Sequence, residues 1–258
     1  MNIFKILPES ILKRLVQNIA QHSHPAFDVA VARNNTQAAF WRLKSLGFSP
    51  KTIWDIGAFE GKWSAQIASI FPDASFHLFE ALPAKAPIIL KNTQNLKREL
   101  HTGLLGSTNK DGMPYYALES GSGVYAENTD IQRTMMELPM RRLDEFMRVD
   151  EGDKPMLMKL DVQGYELEVL KGAGSLLDSA DALYLELSTV DYNAGAPSFS
   201  EVISTLHQWG FALYDLGEMH RKGSDHSLLQ VDGLFLRKTG RWYQQASDLS
   251  GSITIYTD

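Results

Sequence analysis

Twice in this chain a short apolar run arrives at an aspartate, turns on glycine and enters a helix. The first copy is Thr52-Ile53-Trp54-Asp55, followed by Gly57 and Gly61 and then by Lys62–Phe71, which reads as a helix. The second is Met156–Leu160, apolar apart from Lys159, which ends on Asp161; Val162-Gln163-Gly164 then turns into a helix beginning near Tyr165. β-Branched and aromatic residues suit a buried strand. A repeated strand, glycine turn and helix constrains the chain to an α/β sheet whose ligands bind beyond the carboxyl ends of the strands.

The spacing of the first turn narrows the ligand. A dinucleotide fingerprint is G-x-G-x-x-G, with a helix N-terminus facing pyrophosphate. Here Phe59 stands where the middle glycine belongs, and the pattern is D-x-G-x-x-x-G. A strand ending on a carboxylate favours a cationic or amine-bearing ligand over an anionic one, and S-adenosylmethionine has that character. The next predicted strand, Ala74–Glu80, ends on Glu80, where a carboxylate can accept hydrogen bonds from both hydroxyls of an adenosine ribose.

The 258 residues suffice for one large domain with a substantial core. A net charge of −6 gives no electrostatic reason to expect nucleic acid as a partner. The absence of cysteine excludes disulfides, thiolate metal sites and cysteine nucleophiles. No apolar run approaches the roughly 18–20 residues that span a bilayer, and the N-terminus lacks a secretory pattern, so the expected location is cytoplasmic. His22 and His24 lie two apart with no third ligand nearby, and no metal site is assigned from spacing.

In chain order, residues 1–35 read as an N-terminal helical extension. Its helix, Ser10–Ala20, has an apolar face that can pack on its own domain, a second subunit or a membrane surface. Thr36–Leu46 is a helix ended by Gly47. Pro83 opens a helix near Lys85–Asn92, and Glu99–Leu105 is a third strand. Residues 107–148 read as an insertion with strands at Met113–Leu118 and Leu138–Leu143; Ser120–Gly123 is either a plain loop or a fold over the ligand. Ala182–Leu187 is a strand, and Ser198–Glu201 is a capping box opening a helix. Phe211–Leu216 and Val231–Arg237 close residues 36–240 as an antiparallel pair joined by a loop, and residues 241–258 read as an irregular tail with a strand at Ile253–Tyr256.

With both aspartate-ended strands located, the sequence resembles the FkbM family of methyltransferases. The carrying segments are Asp55–Gly61, Phe79-Glu80, Arg142–Phe146, Lys159–Ala173, Leu185–Ser188 and Gln230–Phe235, within a likeness spanning about Thr36–Lys238. Lys159–Ala173 is the most specific of them. Glu80 is followed by Ala81-Leu82-Pro83, whereas the family often has proline directly after this glutamate. The resemblance implies a Rossmann-like, seven-stranded class I methyltransferase sheet with helices on both faces and an antiparallel last strand. It also implies transfer of a methyl group from S-adenosylmethionine, most often to a hydroxyl of a sugar or natural-product-like small molecule. On that reading Asp55, Gly57, Ala58, Phe59 and Gly61 surround the methionine portion, Glu80 takes the ribose and Leu82 walls the adenine. Asp161 orients the acceptor, contacts the cofactor amine or acts as base. His220, His226 and Glu186 are further candidates for the base, the two histidines being placed in the loop between the last strands.

Three alternatives stand beside this reading. A methyltransferase-like protein can bind S-adenosylmethionine without reacting, as a partner or sensor. An NAD-dependent oxidoreductase on the same sheet is opposed by Phe59 and by the lack of a Tyr-Lys pair. A nucleic-acid methyltransferase is opposed by the acidic balance and by the lack of an Asn-Pro-Pro-aromatic motif that holds a flipped base. A homo-oligomer formed through the N-terminal helix is the expectation for self-association.

Overall fold

The computed structural model describes residues 35–118, 121–128, 131–248 and 250. The expected helix at Ser10–Ala20, the oligomer built on it and the strand at Ile253–Tyr256 lie outside them. The described chain runs α1 (Asn35–Ser45), β1 (Thr52–Ile56), α2 (Lys62–Ala68), β2 (Ser75–Glu80), α3 (Ala86–Asn92), β3 (Arg98–Thr102) and β4 (Leu104–Leu105). It continues through β5 (Lys110–Ala117), β6 (Thr134–Arg141), α4 (Leu143–Phe146), β7 (Met156–Leu160), α5 (Glu166–Ala173) and β8 (Ala182–Ser188). It then adds α6 (Phe199–Gln208), β9 (Phe211–Arg221), β10 (Leu228–Arg237) and α7 (Arg241–Ala246).

Seven strands form one Rossmann-like mixed sheet in the order β3-β2-β1-β7-β8-β10-β9. The first five pair in parallel, and β10 runs antiparallel to both β8 and β9. Each face buries its own apolar cluster. Phe40 and Leu43 of α1, Ile67 of α2, Ile89 of α3 and Trp242 of α7 cover one face. On the other, Val169 and Leu170 of α5 and Val202 and Leu206 of α6 share a core with Leu104, Tyr115 and Met140 of a second, three-stranded sheet, β4-β6-β5. Because the chain leaves β1 toward β2 and later returns to its other side as β7, the sheet has a topological switch point at their carboxyl ends.

Several elements differ from the sequence reading. β1 does not stop at Asp55 but continues through it to Ile56, and Asp55 is wholly buried. Its register partner on β7 is Lys159, the other charge in an otherwise apolar run, and Lys159 Nζ stands 3.0 Å from Asp55 Oδ1. The two charges compensate each other, so β1 continues through Asp55, where composition indicated an end, and β7 runs through Lys159 as expected. The expected third strand divides at Gly103 into β3 of the large sheet and β4 of the small one. β9 and β10 extend toward each other until only a short turn separates them, which places His220 on a strand and His226 in the turn. Residues 241–246 are a helix, not an irregular tail. The capping box at Ser198 and Glu201 is present. Among the described residues no helix is long and apolar enough to cross a membrane.

Removing one member of a buried ion pair strands the other charge, at about 3–5 kcal/mol. Lys159→Met is expected to lower stability by that amount, and Asp55→Asn in the same chain to restore part of it. Urea denaturation of the two variants and the parent checks this.

Candidate active site

A cavity of about 400 Å³ opens at the carboxyl ends of β1, β2, β7 and β8, large enough for a ligand of cofactor size. Its floor depends on Gly57. This residue has φ of 78°, and a Cβ there would meet the Asp161 carbonyl oxygen at 2.0 Å. Only glycine lets the end of β1 approach the end of β7 this closely while taking a left-handed turn. The approach is fixed by Asp161 N–H donating to the Ile56 carbonyl at 3.0 Å, and by Gly57 and Ala58 N–H donating to the Phe79 carbonyl.

Lys159 joins the same floor from below. Its ammonium donates to the Gly57 carbonyl at 2.8 Å and lies 3.7 Å from Asp161 Oδ2, while Asp55 Oδ2 accepts from Ser64 Oγ at 2.6 Å. Burial opposes charge on Lys159, but the Asp55 and Asp161 carboxylates outweigh it and hold the ammonium above the ordinary lysine range.

Glu80 ends β2 on the cavity lining. Its Oε2 accepts from Phe59 N–H and its Oε1 from Leu82 N–H, both at 2.9 Å. These bonds draw the glycine turn and the Ala81-Leu82 segment around one carboxylate, and Phe59 takes a left-handed φ of 51° to reach it. Burial raises the Glu80 carboxyl, and the two N–H donors oppose the rise. An ionised carboxylate has about four lone-pair sites, so each oxygen retains capacity for a hydroxyl donor from a ligand.

The turn after β7 explains the Asp-Val-Gln-Gly-Tyr-Glu motif residue by residue. Gln163 and Gly164 take left-handed φ of 56° and 90° in succession. Glu166 Oε1 accepts from the N–H of Val162 at 2.9 Å and of Gly164 at 3.3 Å, closing the turn from beneath. Burial pushes the Glu166 carboxyl up to about 7. The Gln163 amide spans Asp161 Oδ1 at 3.1 Å and Glu186 Oε2 at 2.9 Å.

Carboxylates gather on the β8–β10–β9 side of the cavity. Asp161, Glu186, Glu218 and Asp232 all line it. Glu186 Oε2 accepts from both Gln163 and Gln230 amides, at 2.9 and 2.8 Å. Burial, with Asp161 and Asp232 nearby, raises Glu186 well above the usual carboxylate range. Asp232 Oδ2 accepts from the buried Tyr184 hydroxyl at 2.7 Å, and that hydroxyl also meets Thr36 Oγ1 at 2.8 Å. Burial first, then Asp161 and Glu218, push Asp232 up to about 7 against the Tyr184 bond.

Of the residues proposed from sequence, Gly57, Phe59, Glu80, Leu82, Asp161, Glu186 and His220 line the cavity. His220, on β9 opposite Gln230, is exposed there. Asp55, Ala58 and Gly61 do not line it: Asp55 serves Lys159 and Ser64, and Gly61, at φ 72°, packs against Thr93 and Ile89 of α3. His226 is exposed in the β9–β10 turn and also lies off the lining. Gly121, Ser122 and Gly123 do reach the cavity, with Leu104, Leu105, Tyr115 and Val124 of the inserted region. Sequence reasoning gave no role to Asp232, Glu218, Tyr184 or Gln163. The signal for Asp232 was a lone carboxylate in the apolar run Val231–Leu236, the same anomaly that marked Asp55 and Lys159.

The donor set fits an adenosyl amino-acid ligand. Glu80 presents a carboxylate with spare acceptor sites beside the apolar Leu82, Leu104 and Leu105, and Gly57 leaves the backbone bare against Asp161. The description "Methyltransferase FkbM domain" matches residues 55–213, more than half of the chain. No curated protein matches the chain. Solved structures similar to it include an O-methyltransferase from Bacillus cereus in complex with SAH, with 15% identity, TM-score 0.46 and coverage of 90% of this chain and 92% of that one. Another is precorrin-6y C5,15-methyltransferase from Geobacter metallireducens, with 15% identity, TM-score 0.42 and coverage of 77% and 85%.

A carboxyl raised on folding keeps a proton that the unfolded chain releases. For Asp232, ionisation therefore costs the native state stability as pH rises from the unfolded value near 3.8 through about 7, and the cost persists above. Asp232→Asn is expected to be more stable than the parent at pH 8 by about 1–2 kcal/mol, allowing for screening on the cavity side. The difference should fade toward pH 4. Urea midpoints at the two pH values test the sign.

Proposed function

This chain belongs to the FkbM family of methyltransferases, and from that premise we propose that it transfers the methyl group of S-adenosylmethionine to a hydroxyl of a sugar or a natural-product-like small molecule. The observation carrying this reading is that one cavity joins a ribose-type acceptor, Glu80, to a carboxylate cluster containing a group poised near neutrality, Asp232. S-Adenosylmethionine supplies a methyl group already activated by its sulfonium.

The remaining work falls to the protein: holding both partners in line and accepting the hydroxyl proton. Glu80 would hold the ribose, Leu82 would wall the adenine, and Gly57, Phe59 and Asp161 would bound the methionine portion. The Gln163 and Gln230 amides both donate to Glu186 Oε2. Burial, with Asp161 and Asp232 nearby, raises Glu186 well above the usual carboxylate range and disfavours its ionised form, which leaves Asp232 as the candidate base. Asp232 divides between its two forms near pH 7, as an efficient general base should. Tyr184 occupies Oδ2, which leaves Oδ1 for the acceptor's proton. Asp161 and Glu218 are acceptor-only groups when ionised and suit a molecule rich in hydroxyl donors. The same carboxylates repel a phosphodiester backbone, which favours a small acceptor over nucleic acid.

Calorimetry with S-adenosylhomocysteine and labelled methyl transfer to a panel of glycosides and polyketide alcohols test the assignment. Glu80→Ala is expected to weaken S-adenosylhomocysteine binding about tenfold or more, the loss of two charge-assisted hydrogen bonds. Asp232→Asn should retain that binding yet lower kcat by roughly 10²–10⁴ and remove a rise in kcat/KM near pH 7. Turnover by Asp232→Asn at the parent rate would exclude it as the base.

A further inference from the structure

Away from the cavity, the sheet's β3 edge carries a cluster that the reaction does not use. His77 of β2 stands opposite Glu99 of β3, and His101 follows Glu99 by two residues. Alternation along a strand puts Glu99 and His101 on one face, and the register adds His77 to it. None of the three lines the cavity. We propose that His77, Glu99 and His101 form a binding site for a zinc-type divalent metal ion that ties β3 to β2.

The geometry carries the assignment. Tetrahedral ligands at about 2.0–2.1 Å from zinc stand roughly 3.3–3.4 Å from one another. His77 Nδ1 lies 3.2 Å from His101 Nε2 and 3.6 Å from Glu99 Oε2, and all three donor atoms fall within 4.8 Å of each other. Glu99 is two-thirds exposed and free to swing the remaining distance, while His77 is only 23% exposed. The imidazoles are held by packing. The Trp54 ring meets His77 edge-on with centroids 6.3 Å apart, and Phe79 stacks on His101 at 4.7 Å. Two imidazoles and one carboxylate are a donor set suited to zinc, with a fourth position open to water. Sequence spacing could not reveal the site, because its ligands come from two strands that meet only in the sheet.

The competing arrangement is a neutral histidine pair joined by its own hydrogen bond, and titration separates the two. Full-length, chelator-treated protein is titrated with Zn²⁺ by calorimetry, with melting followed in parallel and Co²⁺ absorption reporting coordination number. The parent and His207→Gln, a histidine elsewhere, should bind one equivalent, gain melting temperature and give a tetrahedral Co²⁺ spectrum. His101→Phe, which retains a ring against Phe79, and Glu99→Ala should each lose at least about tenfold in affinity, since even outer partners of metal ligands contribute roughly that much. The melting gain should be lost with it. Absence of a stoichiometric site in the parent, or undiminished binding by a folded His101→Phe, overturns the proposal.

Discussion

The pairing of Lys159 with Asp55 is the constraint on which the site depends. Two charges at neighbouring positions of the central strands occupy the core with almost no exposure, and each is tolerable only because of the other. The ammonium then reaches past its partner to the Gly57 carbonyl and toward Asp161. One buried cation thus ties the end of β1 to the end of β7 where the sheet reverses its winding. Replacing it with an apolar side chain would leave the Gly57 turn without its anchor and Asp161 without a neighbouring positive charge.

From that anchor the cavity acquires two chemically different sides. On the β2 side, Glu80 is held by backbone N–H groups and offers fixed acceptor capacity next to apolar walls. On the β8–β10–β9 side, burial and neighbouring carboxylates raise Glu186 well above the usual carboxylate range and Asp232 to about 7. Under the proposed function, the first side would hold the methyl donor and the second would take the proton of the acceptor hydroxyl. The inserted sheet closes the space between them through Tyr115 and Gly121–Val124.

Much of this was legible in the sequence because buried parallel strands announce themselves as apolar runs. β7 was read to the residue, and β2 and β8 to within one. What escaped has a common cause. A charge in an apolar run does not show what it pairs with: Asp55 reads as a strand end, Lys159 as an exception inside a strand and Asp232 as a residue without a role, whereas Asp55 pairs with Lys159 and Asp232 with Tyr184 only in the folded sheet. β9 alternates burial irregularly and carries polar residues toward the cavity, so its second half read as loop and misplaced His220. Glu99–Leu105 read as one strand because nothing in its composition reveals that Gly103 passes the chain between two sheets. The Glu80 contacts were anticipated as an acceptor, but the N–H donors that orient it depend on the positive φ of Phe59, which its residue type disfavours.

On the proposed function, the cavity at the ends of β1, β2 and β7 binds the methyl donor. Hydrogen exchange with and without saturating S-adenosylhomocysteine addresses it most directly. Exchange should slow in residues 57–61, 80–82 and 161–164, with the β9–β10 turn unchanged. Ligand-dependent protection confined to other segments, or none in the presence of measured binding, would contradict it.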